Sequence, residues 1–145
     1  MNVNLENFKF YKNLEIRWND LDPIGHVNNV YYFEYFQIGR GYYMTEMSKN
    51  WDWMKHMFVI ANISCQYFKE LRLTHRNVQL GIRISAIGNK SFDFEYVIVS
   101  DDKNGERIVH ALGTSTQVLI DLSINKSIEI PVWLRSDMIA YEPNL

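Results

Sequence analysis

Asp20, Asp22, His26, Asn28 and Asn29 crowd into the front of one run, DLDPIGHVNNVYYFEYFQIGR, from Asp20 to Arg40. A carboxylate can attack a carbonyl carbon or take a proton from water. An imidazole titrates near neutrality, so His26 could orient water, stabilise the carboxylate or protonate a leaving group. The run passes straight into an apolar segment that reads as a helix. A helix start has unpaired backbone N–H groups at the positive end of a dipole, and these can hold a carbonyl oxygen as charge develops on it. Each residue also has an ordinary role. Asp22, just before Pro23, can bond its own turn, Asn28 and Asn29 can cap the helix, and His26 can make a structural hydrogen bond.

The elements that must hold this cluster follow from periodicity. Phe8 to Trp18 reads as a first strand, with Leu14, Ile16 and Trp18 alternating against Glu15 and Arg17. Acids, Pro23 and Gly25 break the pattern from Asp20 to Gly25. The spacing predicts a helix from about Asn28 to Ser48, with Asn28 or Asn29 as N-cap. Its polar and small positions (Glu34, Gln37, Gly41, Thr45, Ser48) form a narrow stripe, so the helix is expected to be largely surrounded by protein.

Strand patterns dominate behind the helix. Val59, Ala61, Ile63, Cys65 and Tyr67 alternate with Ile60, Asn62, Ser64, Gln66 and Phe68, and Val78 to Ala86 alternates strictly. A turn at Gly88 to Ser91 leads into Phe92, Phe94, Tyr96 and Ile98. A loop at Asp101 to Gly105 precedes a long strand from Ile108 to Asp121, and the tail IPVWLRSDMIAY suits a short closing helix with Pro131 near its start. The order of strand, helix and four strands joined by short turns predicts an α+β fold, one antiparallel sheet curled around one helix. Such a sheet leaves a face and its edges uncovered. A homodimer or homotetramer would bury them, unless the C-terminal segment does so.

Composition narrows the class. A chain of 145 residues, 47% hydrophobic and 14% aromatic, is expected to form one domain over residues 1–145 with a real core. A net charge of −2 does not mark a nucleic-acid binder. The single cysteine, Cys65, excludes an internal disulfide framework, and with no helix start or basic neighbour beside it a buried, inert thiol is expected. No Cys/His spacing suggests a metal site. The N-terminal stretch lacks the pattern of a leader and no apolar run reaches membrane-spanning length, so a cytoplasmic protein with no membrane partner is expected.

The opening run resembles the signature of the hotdog-fold thioesterases in their 4-hydroxybenzoyl-CoA thioesterase-like branch, D-x-D-x-x-G-x-V before a tyrosine-rich helix and an arginine. Asp20, Asp22, Gly25, Val27, Tyr31, Tyr32 and Arg40 fill those places. LDPIGHVNNVYY is also similar to the D-x-N-x-H-V-N-N motif of plant acyl-carrier-protein thioesterases at Asp22, His26, Val27, Asn28 and Asn29. Ile24 stands where that motif has an asparagine, so its asparagine-assisted mechanism does not carry over whole. Val118, Asp121, Ile130 and Pro131 match the ending common in the family.

The resemblance implies a hotdog domain that hydrolyses acyl-CoA, or acyl-carrier-protein thioesters, to a free acid without cofactor or metal. Asp22 would be nucleophile or general base, and the N–H near Asn29 would hold the thioester oxygen. His26 is the second residue to test, and Asp20 reads as structural. Lys69, Arg72, His75 and Arg76 lie close enough in sequence to engage coenzyme A phosphates, or they form a solvated loop. A non-catalytic acyl-thioester binder is the reading from another class, and the carboxylate at Asp22 speaks against it.

Overall fold

The computed structural model describes residues 3–145; Met1 and Asn2, part of the expected 1–145 domain and leaderless N-terminus, lie outside the described residues. The strands are β1 (Phe10–Asn13), β2 (Met57–Tyr67), β3 (Arg76–Ile87), β4 (Ser91–Asp101), β5 (Arg107–Asp121) and β6 (Lys126–Ser127), and the helices are α1 (Asn29–Met47) and α2 (Val132–Tyr141). The sheet runs β1-β3-β4-β5-β2, antiparallel throughout, with β6 pairing the end of β5. This is the curled sheet around one long helix that the strand order predicts.

α1 crosses the inner face of that sheet at close range. A Cβ on Gly39 would run into the Leu80 and Ile82 side chains, and one on Gly113 would meet the Phe36 ring at 2.6 Å. Both positions need glycine for proximity. Phe36 stacks on Tyr96 at 4.2 Å between centroids, and Tyr43 meets Phe94 edge-on at 5.1 Å. α2 follows Pro131, its N-cap, and buries Leu134 and Met138, while Tyr141 packs edge-on against Tyr43. The N-terminal segment covers part of the outer face, where Phe8 packs with Val97 and Val99.

Three expectations are corrected. The first strand ends at Asn13 and not at Trp18. Asp20 takes the Arg17 N–H at 3.0 Å and coils Trp18–Asp20 into a 3-10 turn, so a side-chain acceptor displaces the ladder. In β2 the alternation shifts at Ala61, where a bulge between Ile60 and Asn62 puts Ile60 opposite Gln117 and Ile63 opposite Ser115. Ile60, Ile63, Cys65 and Tyr67 therefore share the helix-facing side, and Val59 does not. Nor is α1 surrounded within one chain, because the sheet covers only one side and Val30, Ile38 and Tyr42 remain exposed. β2 likewise pairs with β5 alone and keeps a free edge, with Val59 and Tyr67 each 46% exposed.

Candidate active site

The segment before α1 is a closed turn. The Asp22 N–H donates to His26 O at 2.7 Å and the Gly25 N–H to Asp22 O at 3.0 Å. Gly25 sits at φ +81°, a conformation that favours glycine. The Asp22 carboxylate joins the turn through Oδ1 only, which accepts from the Ile24 N–H (3.0 Å) and the His26 N–H (3.1 Å). Its Oδ2 has no hydrogen-bond partner among the described residues. The ordinary turn role and an available oxygen thus coexist in one half-buried side chain.

Two backbone bonds fasten this turn to its surroundings, Val27 N–H to Leu71 O and Asn28 N–H to Asp20 O, both 2.8 Å. Asn28 is the N-cap of α1, and its side chain accepts from the Val30 N–H. The Asn29 N–H, in the first helical turn, has no partner among the described residues, as expected of a helix start. Asp20 is fully buried and serves the frame. It accepts from Arg17 Nε at 2.9 Å and from the Tyr35 hydroxyl at 2.6 Å. Burial pushes its pKa up, but the bonds from Tyr35 and Arg17 outweigh that and leave it below the usual carboxylate range.

Asp22, His26, Asn28 and Asn29 line one side of a cleft of about 450 Å³. The opposite wall is the end of β2 and the segment after it, from Tyr67 to Glu70. Tyr67 lies edge-on to Tyr32 at 4.8 Å between centroids, and its hydroxyl makes a long 3.5 Å contact with Asn29 O. Burial pushes both phenols up to about 12, so they are neutral near pH 7. Arg72 Nη2 lies 2.8 Å from His26 Nε2, and Arg72 Nε lies 3.6 Å from Glu70 Oε1. Glu70 is held below its usual range by its own backbone N–H and, less strongly, by Arg72, His26 and Lys69.

A buried histidine props this wall from beneath. His110 is fully buried; Ser100 Oγ donates to its Nε2 at 2.6 Å, and its Nδ1 donates to Glu70 O at 3.1 Å. Burial, and less strongly the neighbouring His75, lowers its pKa. Cys65 is half-buried, and burial raises its thiol to about 11, which leaves it unreactive near neutral pH. His56 lies elsewhere, in an aromatic group with Trp51 and Trp133.

The structure therefore brings Asp22, His26 and Asn29 together and adds Lys69 and Arg72 to their rim. Arg76 is exposed at the start of β3, and the His75 ring serves the loop by accepting the Arg72 N–H at 2.9 Å. Tyr67, Phe68 and Glu70 escape the sequence reading, since nothing local marks the end of β2 as a neighbour of Asp22. Other hollows, of about 540 Å³ under the N-terminal segment and about 970 Å³ beside Trp51 and Trp133, lack an open helix start. An available carboxylate oxygen beside an unpaired helix N–H can add a nucleophile, or activated water, to a carbonyl and receive the resulting oxyanion. Among the described residues no three His, Cys, Asp or Glu side chains converge as a metal site requires, and no helix is long and apolar enough to cross a membrane.

Comparison with known proteins gives the same direction. Among solved structures, a thioesterase from Thermus thermophilus, complexed with coenzyme A and Zn, is 28% identical, with a TM-score of 0.81 over 96% of this chain and 98% of that one. The PA5185 protein from Pseudomonas aeruginosa is 26% identical, with a TM-score of 0.81 over 94% of each chain. The uncharacterized protein YsmA of Bacillus subtilis is 27% identical over 90 residues, 62% of this chain and only 60% of its own length. The model of the thioesterase-like superfamily matches residues 16–138, from just after β1 through the Asp22 turn, α1 and strands β2 to β6 into α2. With that match and the shared curled sheet, this chain belongs to the thioesterase-like superfamily and has its hotdog fold.

Proposed function

We propose that the protein hydrolyses acyl-CoA thioesters to the free carboxylic acid and coenzyme A. One observation carries the reading: Asp22 keeps an unbonded carboxylate oxygen in the same cleft as the unpaired Asn29 N–H. Asp22 would act as nucleophile or as general base on water, and the Asn29 N–H would hold the oxygen as charge develops. A donor of this kind is worth about 10²–10³ in rate. Lys69 and Arg72 at the rim suit coenzyme A phosphates, and the coenzyme A complex of the Thermus relative supports that ligand class. Ile24 is 69% exposed and offers no polar group, so the asparagine-assisted route of the acyl-carrier-protein enzymes gains no support.

A homodimer through the β2 edge belongs to the same proposal. β2 is eleven residues long, exposes Val59, Ile60 and Tyr67, and carries a row of unpaired backbone groups that a second copy would satisfy. The deciding experiment is thiol release over short, long, branched and aryl acyl-CoAs, alongside acyl-carrier-protein thioesters. Turnover confined to carrier-protein thioesters would replace the substrate proposed here. Binding without turnover on any thioester would make the protein a binder.

A further inference from the structure

β5 carries one residue more than its pairing with β4 needs. Ile98 pairs with Ala111 and the next residue, Val99, with Val109, so His110 stands in a bulge. A bulge breaks the alternation of a strand and re-aims a side chain. His110 and Ala111, consecutive in β5, are both fully buried, and the His110 ring meets the connection from β2 to β3, residues 68–75. We propose that His110 is a positioning residue for the hydrolysis: from this bulge it sets where that connection runs, and through Leu71 it sets the turn that carries Asp22. The proposal rests on the reading of the cleft as a thioesterase site, but its mechanical part is measurable without turnover.

The connection is tied to this residue along its length. As β2 leaves the sheet after the pair of Tyr67 with Ala111, the His110 carbonyl accepts the Phe68 N–H at 2.8 Å and the Lys69 N–H at 3.3 Å. The ring then takes the next carbonyls, with Nδ1 at 3.1 Å from Glu70 O and 3.3 Å from Lys69 O. Both oxygens are acceptors only, so Nδ1 carries a proton and donates it. Ser100 Oγ, itself fully buried, fixes the far side of the ring through Nε2 at 2.6 Å. His75 packs edge-on against the His110 ring at 4.6 Å between centroids and accepts the Arg72 N–H at 2.9 Å, so the end of the connection is held as well.

Leu71 lies between these anchors and is fully buried. Its carbonyl accepts the Val27 N–H at 2.8 Å. Val27 follows His26, whose N–H holds Asp22 Oδ1, and precedes Asn28, the cap of α1. A shift of Leu71 therefore moves the Asp22 carboxylate and the Asn29 N–H relative to the wall formed by Tyr67 to Glu70. A misplacement of about 1 Å that originates far from the reacting atoms can cost about a hundredfold in rate. Being fully buried, His110 reaches no substrate and acts through the backbone alone.

The test compares His110→Asn with His110→Gln. Asparagine puts its amide N–H near the place of Nδ1, where it still bonds Glu70 O, whereas glutamine puts it near Nε2, toward Ser100. In acyl-CoA thiol release, kcat should fall roughly tenfold or more in His110→Gln and stay within about threefold of wild type in His110→Asn. Amide hydrogen exchange of the full chain reads the same coupling without turnover. The Val27 and Lys69 amides should exchange roughly tenfold faster in His110→Gln, with the amides of β3 and β4 unchanged. Ser100→Ala, which removes the far support but leaves the ring, should speed the same amides to a smaller extent. Equal kcat and exchange in the two His110 variants, or faster exchange spread evenly over β3 and β4, would overturn the proposal. Should His110→Gln fail to fold, unchanged Val27 exchange in Ser100→Ala would overturn it. Absence of thiol release by wild type, with Val27 still responding to His110→Gln, would instead refute the hydrolase reading and leave the positioning of the turn standing.

Discussion

Glu142→Gln replaces a buried carboxyl by a neutral isostere where α2 ends against α1. Glu142 is 4% exposed, its Oε1 has no hydrogen-bond partner, and the Tyr43 hydroxyl interacts with the carboxyl without reaching hydrogen-bond geometry. Burial pushes the carboxyl up to about 7, against the weaker pull of Tyr43, Arg83 and Lys9. An unfolded Glu titrates near 4.5, so the folded state binds this proton more tightly. Stability must then fall as pH rises from 4.5 through 7, where the folded state holds a proton that the unfolded state has lost. The gap of 7 − 4.5 pH units corresponds to about 3 kcal/mol as an upper bound, and relaxation of the site brings the expectation to about 1–3 kcal/mol. Urea unfolding at steps from pH 4.5 to 8 reads this directly. The variant's stability relative to wild type should rise by that amount across the window, since other titrating groups cancel in the difference. A constant offset across the whole pH range would refute the reasoning.

Asp20→Asn weakens the acceptor shared by Arg17 and Tyr35 and should cost about 1–3 kcal/mol in denaturant unfolding. Because the wild-type Asp20 pKa lies below 3.8, its contribution is present above that pH and lost as pH falls through the folded value. Acid unfolding of the variant should therefore lack this component. Gly39→Ala drives a Cβ into Leu80 and Ile82 and should cost about 1–3 kcal/mol. Gly41→Ala, with nothing within 4 Å, should gain up to about 1 kcal/mol, and equal thermal shifts for the two would contradict the packing of α1. Wild type should sediment as a dimer that Val59→Lys on the free β2 edge dissociates; a monomeric wild type would remove the edge-pairing proposal.

The parts of the fold legible in the sequence are those where one face is apolar over many residues. β3, β4 and β5 show their period of two because α1 lies on one side only, and the polar turn around Pro23 and Gly25 marks where α1 begins. The bulge at Ala61 has no residue signature, being a backbone choice that lets Ile60 and Ile63 both face α1. The end of the first strand was hidden because it depends on the Asp20 carboxylate returning to Arg17. At the site, Asp22 and Asn29 were legible because both lie in one short polar run that ends at the start of α1. Lys69 and Glu70 were not recognisable as neighbours of Asp22, because only the position of β2 at the sheet edge beyond β5 brings its end to the start of α1. The Arg72 contact with His26 was hidden for the same reason.

Thiol release from acyl-CoAs by wild type and Asp22→Asn tests the central claim most directly. The substitution keeps an oxygen for the Ile24 and His26 N–H groups, so the turn survives while the charge is lost. The account predicts turnover at least about a hundredfold lower, with an unchanged far-ultraviolet circular dichroism spectrum. Near-normal turnover in Asp22→Asn would contradict it.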